Sequence, residues 1–200
     1  MLDRYDGHIL GLATADGRRV VVGRWLRSPW PPFADVMTQD RDGRRTLLAP
    51  HRDVADEIAA TYVFDDVVVT TVRVTCDAAA RRWLVDAGPL TADVTIGDRT
   101  PLGRLLAVVP RSLARSRTFA TLADPVARAL LPGVRTRGSA GAGRREWYGA
   151  TDQHAVVDAR EVARVDEPGT REQPHEPVVL VRADAVRDGR PEPRCVRPHG

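Results

Sequence analysis

Two hundred residues, 42% hydrophobic and 28% charged, suit one soluble globular domain with a real hydrophobic core. All thirty basic residues are arginine, so Schiff-base chemistry and a covalent pyridoxal phosphate anchor are excluded, and P-loop or kinase sites are disfavoured. The net charge of +3 is unevenly spread: twelve Arg meet fifteen acids over residues 1–98, ten Arg meet two acids over 99–148, and eight Arg meet ten acids thereafter. The middle block is the part of the chain that attracts anions.

In chain order, the first half reads as antiparallel strands. HILGLATA (8–15) faces RRVVVGRWL (18–26) across Asp16-Gly17, a two-residue hairpin signal. ADVMTQ and RRTLLA form a second hairpin around Asp40 to Gly43. Between them SPWPPF (28–33) must be a loop, because its prolines cannot serve a strand ladder. HRDVADEIAATY (51–62) places Val54, Ile58 and Tyr62 on one face behind early acids, the pattern of a helix. DDVVVTTVRVT (65–75) is a β-branched run that reads as one central strand, and RRWLVDAG and LTADVTIG follow as two shorter strands around Gly88-Pro89.

PLGRLLAVVPRSLARSR (101–117) is an amphipathic helical pattern interrupted by Pro110, with Leu102, Leu105, Leu106, Val109 and Leu113 opposite Arg104, Arg111 and Arg115. Asp124-Pro125 starts a short helix that Pro132-Gly133 stops. EWYGA and HAVVDA return to strand. Beyond residue 165 the composition turns to Pro, Arg and Glu, and only EPVVLVRADAV (176–186) carries a strand pattern. The expected fold is therefore α+β, a curved antiparallel sheet or partial β-barrel with two or three packed helices. Residues 1–165 form the domain and 166–200 a largely disordered tail. In architecture alone this is similar to the curved-sheet decarboxylases of the acetoacetate type, but their catalytic lysine is missing, so the likeness implies no function.

The candidate ligand loop is RTRGSAGAGRREWYG. Gly138 and Gly143 have Walker spacing, but Arg144 and Arg145 replace the required Lys and Ser or Thr, so nucleotide binding of that kind is excluded. What remains is an anion nest of Gly138, Gly141 and Gly143 with arginine forks from Arg135, Arg137, Arg144 and Arg145. Trp25, Trp30 and Phe33 gather near one hairpin end and are candidates to wall an apolar pocket, with Trp30 the ligand contact. Tyr148, His154 and Asp152 are the acid–base candidates, and in a strand Asp152, His154 and Asp158 share a face. No metal or cofactor motif is present.

Cys76 and Cys195 are too far apart in sequence for a disulfide framework, and the N-terminus lacks signal-peptide order. These features read as a cytoplasmic protein with reduced thiols. The functional expectation is an anionic or amphipathic small molecule bound at the mouth of the sheet. The alternatives are an anionic surface binder through 101–117 or a ligand-free interaction domain. Membrane and nucleic-acid partners are disfavoured, because Pro110 breaks the basic helix and aromatics do not interleave with the arginines. A homodimer through sheet edges is compatible with the sequence.

Overall fold

A computed structural model describes residues 2–13, 17–110, 137–139, 145–163 and 179–188. The sequence reads as sheet and the chain folds mainly as sheet. The strands are β1 (Leu2–Ala13), β2 (Arg19–Arg27), β3 (Phe33–Gln39), β4 (Arg45–Ala49), β5 (Asp66–Val69), β6 (Arg73–Asp77), β7 (Arg82–Ala87), β8 (Leu90–Arg99), β9 (Arg137–Ser139), β10 (Arg145–Ala163) and β11 (Val179–Asp188). The helices among the described residues are α1 (Arg52–Ala59) and α2 (Pro101–Val108). Neither is long and apolar enough to cross a membrane. The expected third helix and the second half of 101–117 lie outside the described residues, as do 164–178 and 189–200.

One sheet runs β5-β4-β3-β2-β1-β11-β10-β8-β7-β6, with β9 beside β10. Every pair is antiparallel except β4–β5, which α1 joins as a crossover. Ten strands laid flat would span about 43 Å. Yet the two end strands, β5 and β6, are linked only by Thr70–Val72, a reach of about 14 Å. The sheet must therefore curl into a partial barrel. Its interior confirms this: Leu10, Leu12, Val20, Val22, Val36 and Leu48 from one arm share a core with Trp83, Val85, Val94 and Ile96 from the other. Each such side chain contributes roughly 1.5–3 kcal/mol by leaving water.

The opposite face of β3 and β4 is covered by α1, where Leu47 and Ala49 pack on Val54, Ala55 and Ile58. The single strand expected over 65–75 is a correction. Its β-branched run breaks at Thr70–Val72, so that β5 and β6 become the two edges of the sheet. Val72 turns into the core, while Val67, Val68 and Val69 of β5 stay half exposed. Strand propensity made both pieces extended, but the crossover through α1 decided where each one pairs.

The strand pattern of 176–186 is realised as β11. β11, beyond residue 165, lies between β1 and β10 and is hydrogen-bonded on both sides. Leu180 is buried in the core. The sheet thus takes a central strand from the segment whose composition reads as a tail.

α2 is fastened to the outside of β10. Thr100 caps it by accepting the Gly103 N–H at 3.0 Å, and Pro101 stands in the first turn, where no N–H is needed. The Thr100 N–H donates to Gln153 O at 3.0 Å, and the Thr100 hydroxyl donates to Gln153 Oε1 at 2.7 Å. Gly103 lies directly on the strand, so that a Cβ there would stand 2.0 Å from Gln153 O. Leu105 and Val108 of the same helix are exposed.

Candidate functional site

The register of four neighbouring strands brings charged residues into one row. His8 on β1 faces Arg24 on β2 and Arg182 on β11, and Arg182 faces Asp152 on β10. Directly opposed residues in a sheet have Cβ atoms about 5 Å apart. Leu10 and Leu12 continue the His8 side of β1 into the core, so the row ends the apolar interior at one open end of the curl.

Two bulges lie next to this row. The β1–β2 register shifts between Asp6 and Gly7, and the β10–β11 register shifts between Ala150 and Asp152. Gly7 permits the first: a Cβ there would stand 2.1 Å from Arg24 O. Bulges of this kind re-aim the side chains beside them.

The other arm of the sheet closes over the row. Trp83 on β7, opposite Cys76 on β6, meets the His8 ring edge-on at 5.7 Å between centroids, and Arg24 Cζ lies 6.0 Å from the Trp83 ring centroid. Between the arms lies a cleft of ≈ 340 Å³. Its apolar wall is Trp83, Ile96, Leu180 and Cys76, and its polar lining includes His8, Arg24, Arg182, Asp152, His154 and Arg81.

The electrostatics of the lining differ from residue to residue. Asp152 is tied by Arg99, whose Nε and guanidinium N–H groups donate at 2.7 and 2.8 Å, and by the Gln153 N–H at 2.8 Å. Partial burial pushes the Asp152 pKa up, but the Arg99 hydrogen bonds, the Gln153 N–H and the charges of Arg99 and His154 outweigh it, so the carboxyl stays below the usual range. His154 has Nδ1 3.3 Å from Gly97 O and Nε2 3.6 Å from Asp152 Oδ2. Arg81 is bound to Asp98 and to Gly97 O. Burial pushes the Cys76 thiol up, against a smaller downward pull from Arg24, so the thiol stays protonated near neutrality.

His8, Arg24 and Arg182 are less well satisfied. Among the described residues Arg182 pairs with Asp6 Oδ1 at 3.9 Å, while Arg27 holds the other oxygen of Asp6 at 2.7 Å. Arg24 is paired with no carboxylate among the described residues. His8 Nδ1 is buried without a hydrogen-bond partner there. Burial first, then the charges of Arg182 and Arg24, lower the His8 pKa against weaker opposing effects of Asp6 and Asp152. The neutral ring is thus the resting form. Because the folded state holds this proton less readily than the unfolded chain, His8 favours the fold above about pH 6.5 and disfavours it as pH falls below.

Of the acid–base candidates from sequence, Asp152 and His154 come together in the cleft. Tyr148 lies four residues before Asp152 on β10, where the structure describes the backbone alone. Asp158 does not line the cleft and pairs with Arg160 at 3.6 Å. The reason is that register shifts on either side of Val156 break the two-residue alternation. Among the described residues no three His, Cys, Asp or Glu side chains group as metal ligands.

At the ends of the glycine-rich stretch, Arg137, Gly138 and Ser139 pair antiparallel with Trp147, Glu146 and Arg145. Arg135, Gly141, Gly143 and Arg144 lie outside the described residues. Arg145 is seven residues before Asp152 along β10, roughly 23 Å of strand.

Trp30 lies on the other side of the sheet from the cleft, packed with Phe33, Tyr5 and Trp25. There Trp25 meets Tyr5 edge-on at 5.6 Å and donates its indole N–H to buried Asp35 at 2.8 Å. The gap beside them is ≈ 20 Å³, about the room of one water. This aromatic group is core under α1.

His8, Arg24, Trp83 and Arg182 are cleft residues that no sequence motif marks. Compared with known protein families and with curated proteins, the chain matches none.

Proposed function

We propose that the protein binds a small anion with an apolar or aromatic part in the cleft at the open end of the curled sheet. The observation that supports this best is the Arg24–His8–Arg182 row facing Trp83. Arg24, which pairs with no carboxylate among the described residues, and Arg182, which shares Asp6 with Arg27, stand beside a neutral histidine, and an apolar wall faces them. An anion completes that arrangement: guanidinium forks hold carboxylate or phosphate oxygens, and the indole covers the body of the ligand. The volume of ≈ 340 Å³ falls at the lower end of the roughly 300–1,000 Å³ usual for ligand pockets.

The reading is binding rather than catalysis. Asp152 is committed to Arg99 and the Cys76 thiol is not activated, and the binding reading requires neither. The arginines that carry the reading are Arg24 and Arg182 rather than those of the 135–145 loop.

A thermal-shift panel on the full chain tests it, with benzoate, sulfate, phosphate, short-chain carboxylates, coenzyme A and nucleotides. A ligand at a hundred times its dissociation constant adds about 2.7 kcal/mol, which raises Tm by roughly 5–10 °C for a chain of this length. Stabilisation by at least one of these anions is expected. A flat response across the whole panel contradicts the proposal.

A further inference from the structure

We infer that the cleft takes up a proton together with its anion, and that His8 is the group that receives it. This rests on reading the cleft as an anion site and adds how that site is regulated. The geometry carries it: the His8 ring lies between Arg24 and Arg182 on the adjoining strands and touches Trp83 from the facing arm, with Nδ1 buried and unpartnered among the described residues.

Charged and titratable groups surround the ring on both arms: Cys76, Asp77 and Arg81 line the cleft on the side of Trp83, and His154 lines it on β10. Arg24 on β2 and Arg182 on β11 oppose a proton on His8, and burial opposes it more; Asp6 on β1 and Asp152 on β10 favour it. Both carboxylates are held by other arginines, Asp6 by Arg27 and Asp152 by Arg99, so neither serves as a dedicated counter-ion. An anion seated between Arg24 and Arg182 changes the balance. It offsets both cations and places a negative charge next to the ring, which favours the imidazolium. Linkage then requires the reciprocal effect: protonation of His8 tightens the anion. Affinity rises as pH falls from alkaline toward the His8 midpoint of the empty cleft, with up to a tenfold change per pH unit.

The test is a pH titration of the His8 ring by NMR on the full chain, alone and with saturating sulfate or benzenesulfonate, both of which stay fully ionised over the range used. Without anion the midpoint should lie below 6.5; with anion it should move up, and calorimetry in buffers of different ionisation enthalpy should show net proton uptake on binding. In the His8→Gln variant the affinity for the same probe should lose its pH dependence. If an anion shifts the Trp83 indole resonance but leaves the His8 midpoint in place, the proton coupling is wrong and the anion site stands. If neither probe moves either residue at about 100 mM, where even a ligand held by only ~1.4 kcal/mol half-fills its site, the anion site and the coupling both fall.

Discussion

Gly103→Ala should destabilise the fold by about 2–3 kcal/mol, although it adds only a methyl group. The methyl carbon would stand 2.0 Å from Gln153 O and the Gln153 carbonyl carbon would be 2.9 Å away. Both are backbone atoms of a strand hydrogen-bonded to its neighbours, so no side chain can rotate aside. α2 must lift, which loosens the hydrogen bonds that Thr100 makes to Gln153. For a chain of this length the loss corresponds to a fall in Tm of roughly 5–10 °C. Gly11→Ala is the matched control: it lies on β1, a Cβ there meets nothing within 4 Å, and its effect should stay within about 0.5 kcal/mol. Equal effects of the two substitutions, measured by denaturant unfolding, would show that the contact of α2 with β10 is not tight.

The second large effect is on binding. Arg24→Met combined with Arg182→Met should weaken the benzoate or sulfate affinity on the order of a hundredfold or more. A hydrogen bond to a charged group is worth roughly 1.5–3 kcal/mol, and tenfold in affinity is about 1.4 kcal/mol, so two lost anchors reach that range even if they do not add fully. Methionine keeps much of the aliphatic length of the arginine over Trp83 and leaves the rest of the cleft apolar. The same double change removes both cations that oppose a proton on His8, so its midpoint in the empty protein should rise. The pair Arg144→Met and Arg145→Met should leave affinity unchanged. Loss of binding in that variant, with the Arg24 and Arg182 variant unaffected, would return the site to the glycine loop. Isothermal titration calorimetry decides between them.

Local signals in the sequence account for much of the sheet. The alternation in RRWLVDAG reappears as β7, whose Trp83, Val85 and Ala87 are buried between exposed neighbours. Thr100 and Pro101 mark the start of α2, and Val54 and Ile58 mark the buried side of α1. The first hairpin shows how a small error moves a site. A two-residue turn at Asp16-Gly17 would set His8 opposite Trp25. In the structure Ala13 pairs with Arg19, so the connection has five residues and His8 faces Arg24. A slip of one residue sends every side chain of a strand to the other face. It decides here whether an arginine or an indole stands beside the histidine.

The cleft itself depends on pairings that no local pattern carries. His8 meets Arg182 because β11 inserts between β1 and β10, far along the chain from β1. Trp83 reaches the row because the sheet curls until its two arms face each other. Sequence reasoning found Asp152 and His154 as a pair on one strand, but not the partners that surround them. It also weighted the arginines by their density in 135–145, whereas Arg24, Arg81 and Arg182, which line the cleft, are scattered along the chain.

The most direct test of the site uses the four tryptophans, which lie in three different places. Trp83 is in the cleft, Trp25 and Trp30 lie under α1, and Trp147 pairs with Arg137 at the end of the glycine-rich stretch. With 5-fluorotryptophan incorporated, each gives one fluorine resonance, assigned by single Trp→Phe variants. Titration with benzoate should move the Trp83 resonance in a saturable way and leave the other three nearly fixed. A saturable shift at Trp147, or at Trp25 and Trp30, with Trp83 unmoved would place the anion elsewhere and contradict the cleft as the binding site.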